Sequence, residues 1–330
     1  MKQFLQKKAK LVFLCMLVLL TCTACANPRG RDGKTLADQI IASEETTIDA
    51  SQINYKDISD KKLKKEIKKN IKDGQYTIQP TTFKDSMSKG WFEGLIVWPI
   101  AQIINLISSK TDAGVSIILT TLLIQMLVFV FTRKSQMSTQ RMQEISPEIQ
   151  KIQNKYKDKT DERSKMQMAQ EMQNLYQKYD IHPFGSMLIT FIQLPIMMGM
   201  YYATMRSVSV VSGSFMGISL AGTPLDGFKA LDIAYIAIYV LMVIFYIISM
   251  KLPQWLKKLQ DKKDHVKVKK YEQPETNPMA NSMNMSMYFM TAMICIMYIS
   301  WPMAMSFYWL VSSVIRVCQS LILHQVMNKK

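Results

Sequence analysis

The stretch VSIILTTLLIQMLVFVFT, residues 115–132, decides the fold class. It carries no charged residue and approaches the roughly 20 apolar residues that an α-helix needs to cross a bilayer core. The basic segment RKSQMSTQRMQ, residues 133–143, follows it directly. An apolar run that ends in such a segment predicts a membrane-spanning helix whose carboxyl end lies in the cytoplasm.

Further apolar segments follow the first one, separated by polar stretches. They are 183–205 (interrupted by Pro195), 231–250, 285–299 and 303–323. The chain of 330 residues is 48% hydrophobic and only 20% charged, with the apolar residues gathered in these blocks. That distribution excludes a single water-soluble core. It predicts an all-α polytopic membrane protein, built as a bundle of five transmembrane helices.

The distribution of charge gives the predicted topology. Segment 133–182 holds ten Lys and Arg against seven acids, and segment 251–284 holds eight against four, whereas 206–230 holds only Arg206 and Lys229. Basic loops stay in the cytoplasm, so 206–230 is predicted outside and the tail 324–330 inside. The net charge of +16 then fits anionic lipids. No specific nucleic-acid binding is expected, and a ribosome contact through the basic loops and tail stays open.

The amino-terminal residues read as a targeting leader, 1–25. Four lysines precede the apolar run Leu11–Leu20, which is typical of a secretory signal. The sequence Cys22-Thr23-Ala24-Cys25 resembles a bacterial lipobox, which predicts cleavage and lipidation at Cys25. Cys22 stands where such motifs usually carry leucine, and an uncleaved anchor helix is the alternative. Either way, the chain from Asn27 onward is predicted outside the cytoplasm.

Two segments between the leader and the first span are predicted to lie outside. Residues 26–90 are polar, and their lysine-rich run 61–72 is typical of a solvated helix. Residues 91–109 combine two tryptophans with a polar stripe, which predicts an amphipathic helix in the outer membrane interface.

The loop 133–182 is predicted to form a cytoplasmic helical hairpin. Apolar residues recur at helical spacing in two runs, which are Ile145, Ile149, Ile152 and Tyr156, then Met168, Met172, Leu175 and Tyr179. Residues 158–161 break the pattern, and Asp161 can cap the second helix. The apolar residues form either a plain packing face or, with the neighbouring methionines, an adaptable surface for varied apolar partners.

Polar side chains within the spans mark the candidate site. Thr121 and Gln125 share a helix face, Gln193 precedes Pro195, and Ser312, Arg316 and Gln319 lie at i, i+4 and i+7. These faces indicate either interhelical hydrogen bonds or a hydrated groove open toward the cytoplasm. Arg316 alternatively snorkels to the membrane surface. No catalytic, nucleotide or metal-binding pattern accompanies them, so neither an enzyme nor a cofactor is predicted.

Several stretches carry a resemblance to one family. SIILTTLLIQMLVFVFTRKSQMSTQRMQEISPEIQKIQNKY (116–156), HPFGSMLITFIQLPIMMGMYYA (182–203) and PMAMSFYWLVSSVIRVCQSLIL (302–323) resemble Gram-positive members of the YidC/Oxa/Alb family of membrane protein insertases. The motifs agree in order and spacing, and the resemblance covers about residues 91–327.

The resemblance implies a function and a set of site residues. Such proteins insert nascent membrane proteins into the bacterial cell membrane, alone or beside the Sec translocon and without ATP. A client's hydrophilic segment enters an open hydrophilic groove, and its apolar helix leaves along a slide formed by the third and fifth spans. The groove and slide residues expected here are Thr121, Gln125, Gln193, Tyr308, Trp309 and Ser312.

One position departs from the family pattern. Gln125 stands where the family typically has the groove arginine, and Arg133 is too near the membrane surface to substitute. The sequence therefore predicts a groove without a fixed positive charge, and a narrower or different set of clients. Two alternatives use the same groove, namely a small-solute channel or transporter and a lipid scramblase-like protein. No inverted repeat supports the transporter.

Overall fold

The computed structural model describes residues 28–157, 159, 161–181, 183–263, 289 and 291–328. For residues 143, 146, 147, 183–191, 261, 327 and 328 it describes the backbone alone. The leader with Cys25, most of the loop 251–284 and the first residues of the fourth predicted span lie outside the described residues.

Helices make up most of the described chain. The shorter ones are α1 (Lys61–Asn70), α2 (Phe83–Lys89), α3 (Trp98–Ser108), α5 (Ser146–Lys155), α6 (Glu162–Lys178), α8 (Val208–Val211) and α9 (Pro224–Ala230). The long ones are α4 (Ala113–Glu144), α7 (Pro183–Arg206), α10 (Ile233–Lys263) and α11 (Met303–Asn328). Residues 291–298 are also helical. The all-α membrane class predicted from the sequence is confirmed.

Three described helices are long and apolar enough to cross a membrane, over Ala113–Met142, Ile233–Gln260 and Met303–Val326. They contain the first and fifth predicted spans and all of the third except its first two residues, because the helix begins at Ile233 and not at residue 231. The second predicted span coincides with α7, and residues 291–298 fall within the fourth. The count of five spans stays a prediction.

The chain divides into two compact units. The first contains the residues up to Ser116 together with Pro195–Ser214, and the second contains Ile117–Leu194 together with the residues from Phe215 onward.

The first unit contains a small α/β core in the segment that the sequence predicted only as polar. Strand β1 (Thr35–Leu36) pairs in parallel with β3 (Ile53–Asn54), and β2 (Thr46–Asp49) pairs antiparallel with β4 (Gln75–Ile78). A separate pair, β5 (Ser214–Phe215) and β6 (Ile218–Ser219), is not part of this core. Helix α1, predicted from the lysine run, is capped by the Asp60 side chain and buries Ile67 in this core.

The amino-terminal residues of the first unit are tied to the carboxyl end of α7. The backbone N–H of Ile41 donates to the Arg206 carbonyl at 2.6 Å, and that of Val208 donates to the Ile41 carbonyl at 3.0 Å. Arg206 is only 2% exposed; its Nε donates to the Gln39 carbonyl and its guanidinium pairs with Glu93. These bonds satisfy an arginine that would otherwise be costly to bury.

The amphipathic segment predicted over 91–109 is helical in two pieces. A π-helical turn covers Glu93–Val97, and α3 follows directly. Its polar stripe does not face solvent, because Asn105 is buried and donates to the Ile41 carbonyl at 2.9 Å. The interfacial position of this helix stays a prediction.

In the second unit the predicted hairpin is observed, with one difference. Helix α4 does not end at residue 132 but continues to Glu144, so the hairpin proper is α5 and α6. The Asp161 side chain accepts from the Ser164 backbone N–H at 2.8 Å, which confirms the predicted cap. The buried residues between the helices include Ile145, Ile149 and Leu175, whereas Met166 is 73% exposed.

Candidate functional site

Helix α4 presents two different faces over its apolar half. Thr121, Gln125 and Val128 are buried, whereas Leu123 and Leu127 are exposed. The exposed face is apolar, as a lipid-facing surface requires. The polar residues therefore point toward the neighbouring helices.

A polar cavity lies among the helices of the second unit. Its volume is about 190 Å³, enough for several water molecules. Helix α4 contributes four polar side chains to its wall, which are Gln125, Gln136, Thr139 and Gln140. The other polar side chains are Gln193 on α7, Ser249 on α10, and Arg316, Gln319 and Ser320 on α11. Only Val128, Pro253 and Leu323 are apolar among the described residues of the wall.

Two interhelical hydrogen bonds lie beside the cavity. Gln125 Nε2 donates to Ser312 Oγ at 3.2 Å, joining α4 to α11. Gln193 Nε2 donates to the Tyr308 hydroxyl at 3.1 Å, joining α7 to α11. Tyr308 is fully buried and Gln125 is 8% exposed. The interhelical hydrogen bonds that the sequence left as one alternative are therefore present, and the same two glutamines also line the cavity.

The carboxyl end of α4 is bound to α11 by a second polar group. Gln140 Nε2 donates to the Ser320 carbonyl at 3.1 Å, and the His324 ring lies 3.2 Å from Glu144 Oε1. Both contacts are largely buried. These contacts join α4 to α11 a second time, at the wall residue Gln140 and one helical turn after it.

Four of the six predicted groove and slide residues meet in this structure, and two differ. Thr121 is buried, but its hydroxyl donates to the Ile117 carbonyl of its own helix at 2.7 Å. The Trp309 ring packs against the rings of Tyr246 and Tyr298. Of the six residues, Gln125 and Gln193 line the cavity, and Ser312 and Tyr308 are their hydrogen-bond partners. Gln125, Gln193, Tyr308 and Ser312 come together as predicted.

Sequence reasoning missed several wall residues and left the position of Arg316 open. Gln136, Thr139 and Gln140 were assigned to the loop after the first span, since α4 was predicted to end at residue 132. Their i, i+3 and i+4 spacing in a polar stretch was the available signal. Gln125 brings no charge to the cavity at the position where the family typically has an arginine, but Arg316 on α11 lines the same cavity.

Comparisons with known proteins agree with this architecture. The model of the 60Kd inner membrane protein family matches residues 105–330. The chain is 30% identical over 237 residues to "Membrane protein insertase YidC 1" of Streptococcus pyogenes serotype M6, covering 72% of this chain and 75% of that protein. It is 28% identical over 239 residues to "Membrane protein insertase MisCA" of Bacillus subtilis, covering 72% and 80%. It is 27% identical over 245 residues to "Membrane protein insertase YidC" of Oceanobacillus iheyensis, covering 74% and 87%.

Proposed function

The chain belongs to the 60Kd inner membrane protein family, also called YidC/Oxa/Alb, and on that premise we propose that it inserts nascent membrane proteins into a bacterial membrane. The observation that carries the proposal is the polar cavity flanked by lipid-compatible helix faces. Moving a hydrophilic peptide segment through dry hydrocarbon costs several kcal/mol for each unsatisfied backbone group. A hydrated cavity within the bundle removes much of that cost for a client segment, without a nucleotide.

The cavity extends from the middle of α4 toward one end of that helix. It follows α4 from Gln125 to Gln140, toward the end that the basic loops assign to the cytoplasm. We propose that a client's hydrophilic segment enters from that side and is held by the glutamine and serine side chains. These groups donate and accept hydrogen bonds without binding any one sequence tightly.

The exit route follows from the packing of α10 and α11. The two helices pack against each other, and each exposes aliphatic side chains, such as Val240 and Ile244 on α10 and Ile322 on α11. We propose that the client's apolar helix partitions into lipid along this exposed face. Flexible and aliphatic side chains suit clients of varied sequence, because they can repack.

The proposed partners are nascent membrane proteins, the Sec translocon and anionic lipids, with the ribosome as a further partner for the basic loops. The proposed topology has five spans, an outer amino-terminal segment held by a lipid on Cys25, and a cytoplasmic tail. Cys25→Ala should abolish labelling of the protein by a fatty-acid probe. Unchanged labelling in that variant would exclude Cys25 as the lipidated residue.

The insertase proposal is tested with the purified protein in liposomes. A single-spanning client with a short uncharged outer segment is synthesised in their presence, and the protease-protected fraction is measured. The expected result is a protected fragment well above that in protein-free liposomes. A fragment no greater than in protein-free liposomes would refute the insertase function. Leakage of small solutes through the same liposomes would instead favour a channel.

A further inference from the structure

Arg316 is the one formally charged side chain among the described residues that line the cavity. It lies on α11, one helical turn after Ser312, whose hydroxyl accepts from Gln125. The other polar wall residues are neutral amides and hydroxyls. The electrostatic character of the cavity therefore depends on this guanidinium.

The contacts of Arg316 hold the side chain without neutralising it. Its Nη2 donates to Ser313 Oγ at 3.3 Å, and Cζ lies 5.6 Å from the centroid of the Trp309 ring and 5.9 Å from that of Tyr246. Aromatic faces attract a cation and fix its position, but they carry no net charge. Trp309, which does not line the cavity, thus acts on it through Arg316.

The guanidinium has unused hydrogen-bonding capacity. Its Nε is covered and has no hydrogen-bond partner among the residues that the structure describes. Within the same residues, no carboxylate pairs with Arg316. An arginine has five N–H donors, and a cation within a membrane segment normally pairs with an anion or marks a ligand pathway.

We propose that Arg316 binds a carboxylate of the client's hydrophilic segment while that segment occupies the cavity, and that it thereby selects for acidic segments. The inference rests on the proposed insertase function and names the side chain that supplies client preference. Arg316 provides from α11 the positive charge that the Gln125 position on α4 lacks. A planar guanidinium matches a carboxylate in two parallel hydrogen bonds.

The composition of the wall favours a peptide carboxylate over a lipid phosphate. Nine of the twelve described wall residues end in amide, hydroxyl or guanidinium groups. The neutral amides beside Arg316 suit peptide groups, which need both donors and acceptors.

The experiment uses the full chain in liposomes and one client in two matched forms. The outer segment of the client carries either two aspartates or two asparagines, and the measured quantity is the ratio of protected fragments, Asp form over Asn form. Wild type is compared with Arg316→Gln, Arg316→Lys and the double variant Gln125→Arg/Arg316→Gln. Arg133→Gln is the matched control, because it removes the same charge from an exposed position of α4 outside the cavity.

The expected result is a fall of the Asp-to-Asn ratio by about tenfold in Arg316→Gln, the size of one charged hydrogen-bonded contact. Arg316→Lys should keep most of the ratio, and the double variant should restore it by returning a cation to the same cavity. Arg133→Gln should leave the ratio as in wild type. If Arg316→Lys keeps the Asp-to-Asn ratio, the lower ratio in Arg316→Gln comes from the lost charge and not from misfolding.

Three outcomes would overturn the inference. The first is an unchanged ratio in Arg316→Gln while wild type inserts the Asn client, which leaves the insertase proposal standing. The second is a ratio that follows the anionic-lipid content of the liposomes in wild type but not in Arg316→Gln, which identifies a phosphate as the ligand. The third is failure of wild type to insert even the Asn client, which removes the proposed function as well.

Discussion

At the scale of the residue, Gln125 shows how one side chain can serve both packing and the cavity. Its amide donates to Ser312 across two helices and also lines the cavity. A buried polar group that loses its partner costs about 1–3 kcal/mol. The residue at position 125 therefore affects both the stability of the helix bundle and the hydration of the cavity.

Gln125→Leu is expected to lower the free energy of unfolding by about 1–2 kcal/mol and to reduce client insertion. The leucine removes the donor to Ser312 and dries part of the cavity wall. Thermal unfolding in detergent measures the first effect, and the protected client fragment measures the second. Gln170→Leu, the same exchange at an exposed position of α6 outside the cavity, is the matched control. Insertion at the wild-type level in Gln125→Leu would contradict the role of this amide.

The pair formed by Arg206 and Glu93 gives a second residue-scale prediction. Glu93→Gln leaves a buried guanidinium without its carboxylate, which costs on the order of 3 kcal/mol. The first unit should then be cleaved faster in limited proteolysis of the full chain. Arg206→Met combined with Glu93→Gln should be cleaved more slowly than Glu93→Gln alone, because no buried charge remains. The opposite order would show that the ion pair itself, and not the stranded charge, sets stability.

Arg316 marks the limit of sequence reasoning at this scale. Its helical spacing with Ser312 and Gln319 placed it on the polar face, but the same position near a span end fitted snorkelling equally well. The rings that hold it inward belong to Tyr246 and Trp309, and Tyr246 lies on α10, far along the chain. A contact of that kind depends on tertiary packing, which no local pattern encodes.

At the scale of the element, the helical hairpin of α5 and α6 is the part that the sequence predicted best. The two apolar runs, the break at 158–161 and the Asp161 cap all depend on residues close together in the chain. Residues in sequence proximity determine helix periodicity and capping, so these features are readable locally. The missed feature was the continuation of α4 to Glu144, because a polar helix after an apolar one looks like a loop.

The hairpin is also expected to respond to acid. Lys155 Nζ lies 2.5 Å from Glu171 Oε1, and the Tyr156 hydroxyl donates to the same oxygen at 2.9 Å. The hydrogen bond from Lys155, then that from Tyr156, holds the pKa of Glu171 below its ordinary value of 4.5. A lowered pKa in the folded state adds stability above the ordinary value, and that stability is lost as the pH falls below about 4.5.

Amide hydrogen exchange of α5 and α6 in the full chain measures this effect. Protection of the two helices should decrease between pH 4.5 and lower values by more than in Glu171→Gln, whose side chain does not titrate. Both partners are solvent-exposed to a substantial degree, so the difference should be small. Equal pH dependence in the two proteins would mean that Glu171 does not couple protonation to the hairpin.

At the scale of the whole molecule, the bundle class was predictable and the first unit was not. Long apolar runs predict membrane helices from local sequence alone. The α/β core of the first unit instead uses strands of two to four residues, too short for a periodic signal. Its bond from Ile41 to Arg206 joins residues on either side of the first two predicted spans.

The topology of the whole chain is the last prediction, and it follows from charge and not from any contact. Single cysteines at positions 160, 215 and 265 are introduced into a chain in which the free residues Cys295 and Cys318 are replaced by serine and Cys25 is kept for its proposed lipid. A membrane-impermeant thiol reagent added to intact cells should label position 215 alone. Positions 160 and 265 should react only after the membrane is opened, because their loops carry the basic excess that retains a loop in the cytoplasm. Labelling of position 160 from outside would show that α4 crosses the membrane in the opposite direction. A client segment would then reach Arg316 from the other side of the membrane.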